Sequence, residues 1–194
     1  MTRKIAFCTV MLASGIGTAF GQAPPPGAGG PTRLTLSSPD FEDGGIIPNK
    51  YTQADANPVS PKLEWKNAPD GTVSFLLLMH DPDIAKEKKT DDVTHWIAFN
   101  IPGAATGLAG GQPADAKLPD GTIQLLNNRS KVGYLGPGAP PIGPYHHYTF
   151  ELMALDTKLD LGPGTTRDQV IAAVQGHIVG KGILVGRFHR PIPQ

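Results

Sequence analysis

Three polar side chains lie at the ends of predicted strands, where together they form a candidate anion-binding pocket. Asp81 follows a long apolar run, and His95 and His146 each begin another apolar segment. Because loops converge where strands end, we expect Asp81 to accept a hydrogen bond from one imidazole, which would fix its tautomer and favour its protonated form. The outer ring N–H groups and the hydroxyl of Tyr148 would then bind a phosphate or carboxylate group.

The same residues have two other interpretations. In the structural one, the Asp-Pro-Asp sequence at 81–83 is a turn, because aspartate bonds its own backbone and proline fixes φ; each histidine is then a strand residue with satisfied hydrogen bonds. In the enzymatic one, Asp81 and the two histidines hold a metal ion or orient a water molecule. The sequence contains no G-x-S-x-G elbow, which argues against a serine nucleophile.

Apolar runs bounded by turn residues predict a strand-rich domain that positions these groups. Three predicted strands carry pocket residues or end beside them, at 73–79, 95–101 and 146–155. Shorter strands are predicted at 34–36 and 63–66. The 24 glycines and 20 prolines fit many turns between short strands. The pattern therefore predicts a mostly β, sandwich-like domain.

Alternation along two of the strands predicts which histidines face the core. His146 and Tyr148 share one face, and the residue between them points the other way. His95 is in phase with Ile97 and Phe99, so we expect it on their core-facing row. A histidine in such a row needs hydrogen-bond partners or a place at the rim of the sheet.

One helix is predicted near the C-terminus. Thr166 and Gln169 have capping-box spacing, residues 170–174 supply an apolar stripe, and Gly176 suits a helix end. Repeated glycine makes residues 177–188 a final strand rather than a longer helix. We therefore expect a small helical appendage on the sandwich.

Residues 1–22 have the features of a secretory signal peptide. Two basic residues near the start precede an uncharged, apolar stretch that ends in small residues. The stretch is shorter than the roughly 20 apolar residues that a spanning helix needs, although a retained anchor is the alternative. We predict a periplasmic or secreted protein, with a Pro/Gly linker at 23–31 and one folded domain at 32–194.

Charge and cysteine content exclude two classes of protein. The chain has 17 basic and 17 acidic side chains, and loss of the two basic residues in the predicted signal peptide leaves a net charge of −2. No segment forms the basic stripe of a nucleic-acid-binding protein. The single cysteine, Cys8, lies in the predicted signal peptide, so the exported domain is not expected to depend on disulfides.

Five sequence segments follow one another between Leu34 and Arg190. They are residues 60–65 (SPKLEW), 75–83 (FLLLMHDPD), 95–102 (HWIAFNIP), 133–143 (GYLGPGAPPIG) and 146–152 (HHYTFEL). In this order and spacing, the sequence resembles the phosphatidylethanolamine-binding protein family, in particular its bacterial branch of Raf-kinase-inhibitor-like proteins.

The resemblance implies a large antiparallel sheet packed against a smaller one, with a peripheral C-terminal helix. It also implies a shallow pocket that accepts phosphate, phosphorylethanolamine, acetate or similar anions. The family's pocket positions match Asp81, His95, His146 and Tyr148 of this sequence, and Pro141 lies in the proline-rich loop that forms a wall. Members are generally regarded as binding and regulatory proteins without established catalysis, and the resemblance implies no metal or cofactor.

Departures from the family pattern flank the pocket. The usual DPDxP lacks its second proline, because Ile84 and Ala85 follow Asp83. The charged segment 86–92 then forms either a lid that attracts an anionic head group or a solvated loop. Tyr145 stands where the family often has proline, so an aromatic ring is expected over part of the pocket mouth.

The sequence therefore predicts an exported, non-catalytic protein that binds a phosphate or carboxylate group such as a phospholipid head group. The alternative is a protease inhibitor or another protein-interaction module, as some relatives in the family are. A metal-assisted hydrolase is the least favoured interpretation. Bacterial relatives also suggest a homodimer, and no transmembrane segment is expected in the mature chain.

Overall fold

The computed structural model describes residues 33–88 and 91–192. The predicted signal peptide and Pro/Gly linker lie outside these residues. Within them, the chain forms nine β-strands and one α-helix, apart from short 3₁₀ turns. The elements are β1 (Thr35–Ser37), β2 (Gly45–Ile46), β3 (Leu63–Lys66), β4 (Ser74–Asp81), β5 (Val93–Pro102), β6 (Gly107–Leu108), β7 (Ile123–Gln124), β8 (His146–Leu155), α1 (Arg167–Ala173) and β9 (Ile178–Phe188).

The strands form two sheets. The small sheet has the order β1-β3-β6, and the large sheet has the order β2-β9-β8-β4-β5-β7. Neighbouring strands are antiparallel, except that the two-residue β2 runs parallel to β9. The predicted antiparallel β-sandwich with a small C-terminal helix is confirmed, with β2 as a short parallel addition at one edge.

Strand β4 lies in the middle of the large sheet and is buried on both faces. On the inner face, Phe75 and Leu77 pack against the small sheet, and the Phe75 ring lies 5.2 Å from that of Trp65. On the outer face, Leu76 packs with Val170 of α1. Because apolar groups are needed on both faces, β4 has a continuous apolar run instead of alternation.

Helix α1 begins at the predicted capping box. The Thr166 side chain accepts a hydrogen bond from the Gln169 backbone, and the Gln169 side chain accepts one from the Thr166 backbone. Val170 is buried beneath the helix, and Gly176 follows its end with φ of 84°. A positive φ there suits glycine, which lacks the Cβ that makes this conformation costly.

A network of ion pairs joins α1 to the outer face of the large sheet. His80 lies between Asp92 and Glu151, with 3.2 Å from its Nε2 to the glutamate oxygen. Arg167 of α1 pairs with Asp92, and Lys181 lies 2.7 Å from Glu151. Burial alone lowers the pKa of His80, but hydrogen bonds to Glu151 and Asp92 outweigh burial and hold this pKa above its usual value.

Replacing His80 with glutamine is expected to remove a pH-dependent part of the free energy of unfolding. Because the folded-state pKa is raised, the contribution of His80 is fully present below the unfolded pKa of about 6.5 and is lost as the pH rises through the folded pKa. Thermal unfolding between about pH 6 and pH 9 tests this, since the melting temperature of the unsubstituted protein should fall more steeply than that of H80Q. Parallel profiles would contradict it.

Candidate anion-binding site

A cavity of about 220 Å³ lies at one end of the large sheet, where β4 ends and β5 and β8 begin. Asp81, His95 and Tyr148 from these three strands line it. Loops supply the other walls, which include Ile84, Leu135, Pro140, Gln53, Arg129 and Arg190. The predicted residues Asp81, His95 and Tyr148 therefore meet at one place, whereas the predicted His146 bonds Asp81 beside the cavity and is not among its lining residues.

A β-bulge determines where the ring of His95 lies. The pairing of β5 with β4 skips one residue there, so His95 has no partner of its own on β4. Its ring lies against Tyr148, with the two ring centroids 5.0 Å apart. Ile97 and Phe99 pack on the other face of the sheet. The prediction that His95 shares their face is wrong, because strict alternation fails at a bulge.

The hydrogen bonds of His95 leave one ring nitrogen for a ligand. Its Nδ1 donates to the Leu135 carbonyl at 2.8 Å, because a carbonyl oxygen only accepts. The residue is 3% exposed, and this burial lowers the pKa of His95, although the Leu135 hydrogen bond and the charge of Asp81 partly offset it. The His95 ring is therefore neutral at neutral pH, with Nε2 as a hydrogen-bond acceptor.

The imidazole that bonds Asp81 is that of His146. The His146 Nδ1 lies 2.8 Å from one Asp81 oxygen, and the other oxygen accepts a hydrogen bond from the Asp83 backbone at 3.0 Å. Asp81 is 1% exposed, so its carboxylate is a fixed, buried acceptor. As alternation predicts, His147 turns away, and its Nδ1 bonds Asp83 instead. His146 therefore also commits Nδ1 to the protein and leaves Nε2 free.

The hydroxyl of Tyr148 is held by the loop that precedes β8. It accepts hydrogen bonds from the backbone N–H groups of Gly138 and Ala139 at 3.1 and 3.0 Å. Burial raises the pKa of Tyr148 to about 12, so the hydroxyl keeps its proton at physiological pH. With two donors already bound to the oxygen, that proton is directed to an acceptor, for which the neighbouring Asp81 and a ligand in the cavity compete.

Comparison with known proteins agrees with this fold. Residues 37–189 match the profile of the family described as phosphatidylethanolamine-binding protein. The chain belongs to the phosphatidylethanolamine-binding protein family. Within the described residues, this family member has no helix long and apolar enough to cross a membrane.

Relatives of this family member come from archaea and bacteria. A UPF0098 protein of Methanothermobacter thermautotrophicus is 41% identical over 157 residues, covering 81% of this chain and 99% of that protein. A Mycobacterium tuberculosis relative, provisionally named lipoprotein LppC, is 37% identical over 156 residues. The match covers 80% of this chain and 72% of that protein. The crystal structure of Escherichia coli YbcL, described as a member of the mammalian family, has a TM-score of 0.71 at 25% identity. The match covers 83% of this chain and 99% of that chain.

Besides His146, three elements expected at the pocket of this family member lie elsewhere. Pro141 is not among the lining residues, and the neighbouring Pro140 takes that place. The Tyr145 ring packs on His189, with centroids 4.1 Å apart, instead of covering the cavity. Lys86, from the charged segment, lines a separate cleft beside α1. In each case the direction of an irregular loop decides the position, and no residue pattern fixes that direction.

The sequence analysis missed two cationic residues and one amide of the site. Arg129, in a loop after β7, and Arg190, after β9, line the cavity together with Gln53. None of them belongs to a short motif or a predicted strand, so the sequence contains no local signal for them. They meet because the fold brings three distant loops to one end of the large sheet.

A second group of ligand atoms lies beside the cavity. One atom each from Asp81, Asp83 and His146 falls within 4.8 Å of the others. This group contains a second aspartate where the sequence-based metal hypothesis has His95. Its atoms already form hydrogen bonds within the protein, since Asp81 bonds His146 and Asp83 accepts a hydrogen bond from His147. A cation would have to replace those hydrogen bonds.

Proposed function

We propose that this protein is a non-catalytic binding protein whose cavity holds a phosphate or carboxylate group, such as that of a phospholipid head group. One observation carries the proposal. His95 lines the cavity and commits its Nδ1 to the Leu135 carbonyl, so its Nε2 remains for a ligand, and His146 beside the cavity likewise commits its Nδ1 to Asp81. The Tyr148 hydroxyl is the second buried lining group, and in this proposal the Nε2 of the neighbouring, half-buried His146 is the third, which together suit a tetrahedral or planar anion.

The size of the cavity supports a small ligand. Its volume of about 220 Å³ lies below the roughly 300–1,000 Å³ of pockets that enclose drug-sized molecules. A phosphate with a short polar substituent fits that volume, whereas an acyl chain does not. In this proposal, a phospholipid inserts its head group and keeps its chains outside.

The proposal includes export from the cytoplasm. The charge and hydropathy of residues 1–22 support it, as does the name of the lipoprotein LppC relative. A homodimer and a protease partner stay predictions from the family resemblance.

Calorimetric titration with inorganic phosphate and O-phosphoethanolamine tests the site. Asparagine can replace Nδ1 with its amide nitrogen but offers nothing at Nε2, so His95→Asn and His146→Asn keep the internal hydrogen bonds. Each is expected to weaken binding by about tenfold or more, because a hydrogen bond to a charged group contributes about 1.5–3 kcal/mol.

His177→Asn is the matched control. His177 is exposed, bonds Asp156, and precedes β9, whose other end lies beside His146. The His177→Asn variant should bind both ligands as tightly as the unsubstituted protein does. Unchanged affinity in both pocket variants would contradict the proposed site.

The group of Asp81, Asp83 and His146 makes metal-assisted hydrolysis the second candidate function. Elemental analysis of protein purified without chelator distinguishes the two. Stoichiometric zinc or iron, lost in Asp83→Asn, would favour the hydrolase over the binding protein. The proposed binding function requires anion affinity that does not change when EDTA is added.

A further inference from the structure

Two arginines from distant parts of the chain meet at one wall of the anion-binding cavity. Arg129 and Arg190, here called the arginine pair, both line it. Nη2 of each donates to the same atom, the side-chain oxygen of Gln53, at 2.7 and 3.0 Å. Two hydrogen bonds to one oxygen keep the two nitrogens within about 6 Å of each other. The two guanidinium groups are therefore fixed side by side.

The arginine pair is tied to the rest of the site. The Gln53 amide donates to the Gly136 carbonyl at 2.8 Å, which fixes the oxygen that both arginines share. The Arg190 backbone N–H donates to the Ala139 carbonyl at 3.1 Å, and the Ala139 N–H donates to the Tyr148 hydroxyl. One loop therefore holds both Tyr148 and the arginine pair, and the two positions are preorganised together.

The charge of the arginine pair has no internal counterpart among the residues that the structure describes. Neither guanidinium lies within 4.0 Å of a carboxylate there, and Gln53 is neutral. A guanidinium has five N–H donors, and Gln53 occupies one on each arginine. Two adjacent positive charges with unused donors attract an anion and gain from its binding.

We infer that the arginine pair is a second anion-binding position, and that the preferred ligand carries a carboxylate in addition to its phosphate. The inference rests on the proposed function, in which His95, His146 and Tyr148 hold the phosphate. Guanidinium groups bind carboxylates through parallel hydrogen bonds with good geometric match. The arginine pair lines the same cavity of about 220 Å³ as His95 and Tyr148, so a single small molecule of the O-phosphoserine type spans the two positions.

A purely structural role for the arginine pair makes a different prediction. In that case Arg129 and Arg190 only fasten two loops to Gln53. Their removal would then lower the melting temperature, but it would not change which of two related ligands binds better. Ligand discrimination is therefore the decisive measurement.

Titration with O-phosphoserine and O-phosphoethanolamine measures this discrimination, since the two ligands differ by one carboxylate. The unsubstituted protein is expected to bind O-phosphoserine at least about tenfold more tightly. In the double variant Arg129→Gln, Arg190→Gln the two affinities should become equal, at the level of O-phosphoethanolamine. Arg187→Gln is the control, because Arg187 is an exposed arginine that bonds the Gly44 carbonyl and does not line the cavity.

Each outcome decides between the two proposals. Equal affinities in the unsubstituted protein overturn the second position and leave the proposed function standing. A preference for O-phosphoserine that persists in the double variant, or that disappears in Arg187→Gln, also overturns it. Binding of neither ligand overturns both proposals. If the double variant does not fold, Arg129→Gln alone must reduce the preference.

Discussion

Sulfate is expected to bind this protein more tightly as the pH falls, with an affinity that rises by up to about tenfold per pH unit. His95 uses its Nδ1–H for the Leu135 carbonyl, so Nε2 donates to an anion only when the ring is protonated. Because burial lowers the pKa of His95, its ring is neutral at pH 7 when no anion is bound. The ring must therefore take up a proton when it donates to sulfate. Sulfate suits the test because its own charge is constant over this range.

The pH window follows from the direction of the shift. In the free protein the pKa of His95 lies below its usual value of about 6.5, and a bound dianion raises it by stabilising the imidazolium. Affinity should therefore be constant below the free-state pKa, fall as the pH rises between the two values, and level off above the bound-state pKa. The charges of Asp81 and Asp92 raise the free-state value, and that of His80 lowers it.

Calorimetry in two buffers of different ionisation enthalpy, at several values between about pH 5 and pH 8, measures both the affinity and the proton uptake. His95→Asn should bind sulfate weakly and without this pH dependence. His177→Asn should keep the profile of the unsubstituted protein. A flat profile in the unsubstituted protein would show that the anion does not depend on His95.

Replacement of Phe150 with alanine is expected to lower the free energy of unfolding by about 3–5 kcal/mol. Phe150 is fully buried between the two sheets, and its ring lies 5.9 Å from that of Phe41. On β8 it pairs with Met79 on one side and Leu184 on the other. Truncation would leave a cavity that these neighbours cannot fill without moving both sheets.

Ile183→Ala is the control for this prediction. Ile183 lies on β9 next to Leu184 but is 45% exposed, so its truncation should cost less than about 1 kcal/mol. Urea unfolding with a common m-value measures both changes. Similar losses for the two variants would contradict the assignment of the inner face of the large sheet.

The parts of the fold that the sequence predicts are those with a repeated local signal. The bounds of β8 agree with the prediction because its ten residues alternate and end at turn residues. The start of α1 agrees because Thr166 and Gln169 bond each other within one turn. The two-residue strands β2, β6 and β7 were not predicted, because two residues are too few to establish a period.

The residues of the candidate site likewise include some that the sequence predicts and some that it does not. Asp81 and Tyr148 line the cavity as expected, and His146 bonds Asp81 beside it, because strand ends and strand phase place these residues. The ring direction of His95 depends on a bulge, which one extra residue in the pairing creates and which the sequence of β5 alone does not reveal. Arg129 depends on a loop that folds back from β7, and its position follows from tertiary contacts instead of local pattern.

The tethered Nδ1 atom of His95 also bears on selectivity between oxyanions. A neutral His95 ring presents a lone pair at Nε2, and a lone pair repels an oxygen that has no hydrogen. A phosphomonoester can keep one acidic proton and donate it to that lone pair, whereas sulfate has none to offer. Near neutral pH the cavity is therefore expected to favour a phosphomonoester, whose second pKa of about 6 lets it carry the shared proton, over sulfate of nearly the same shape.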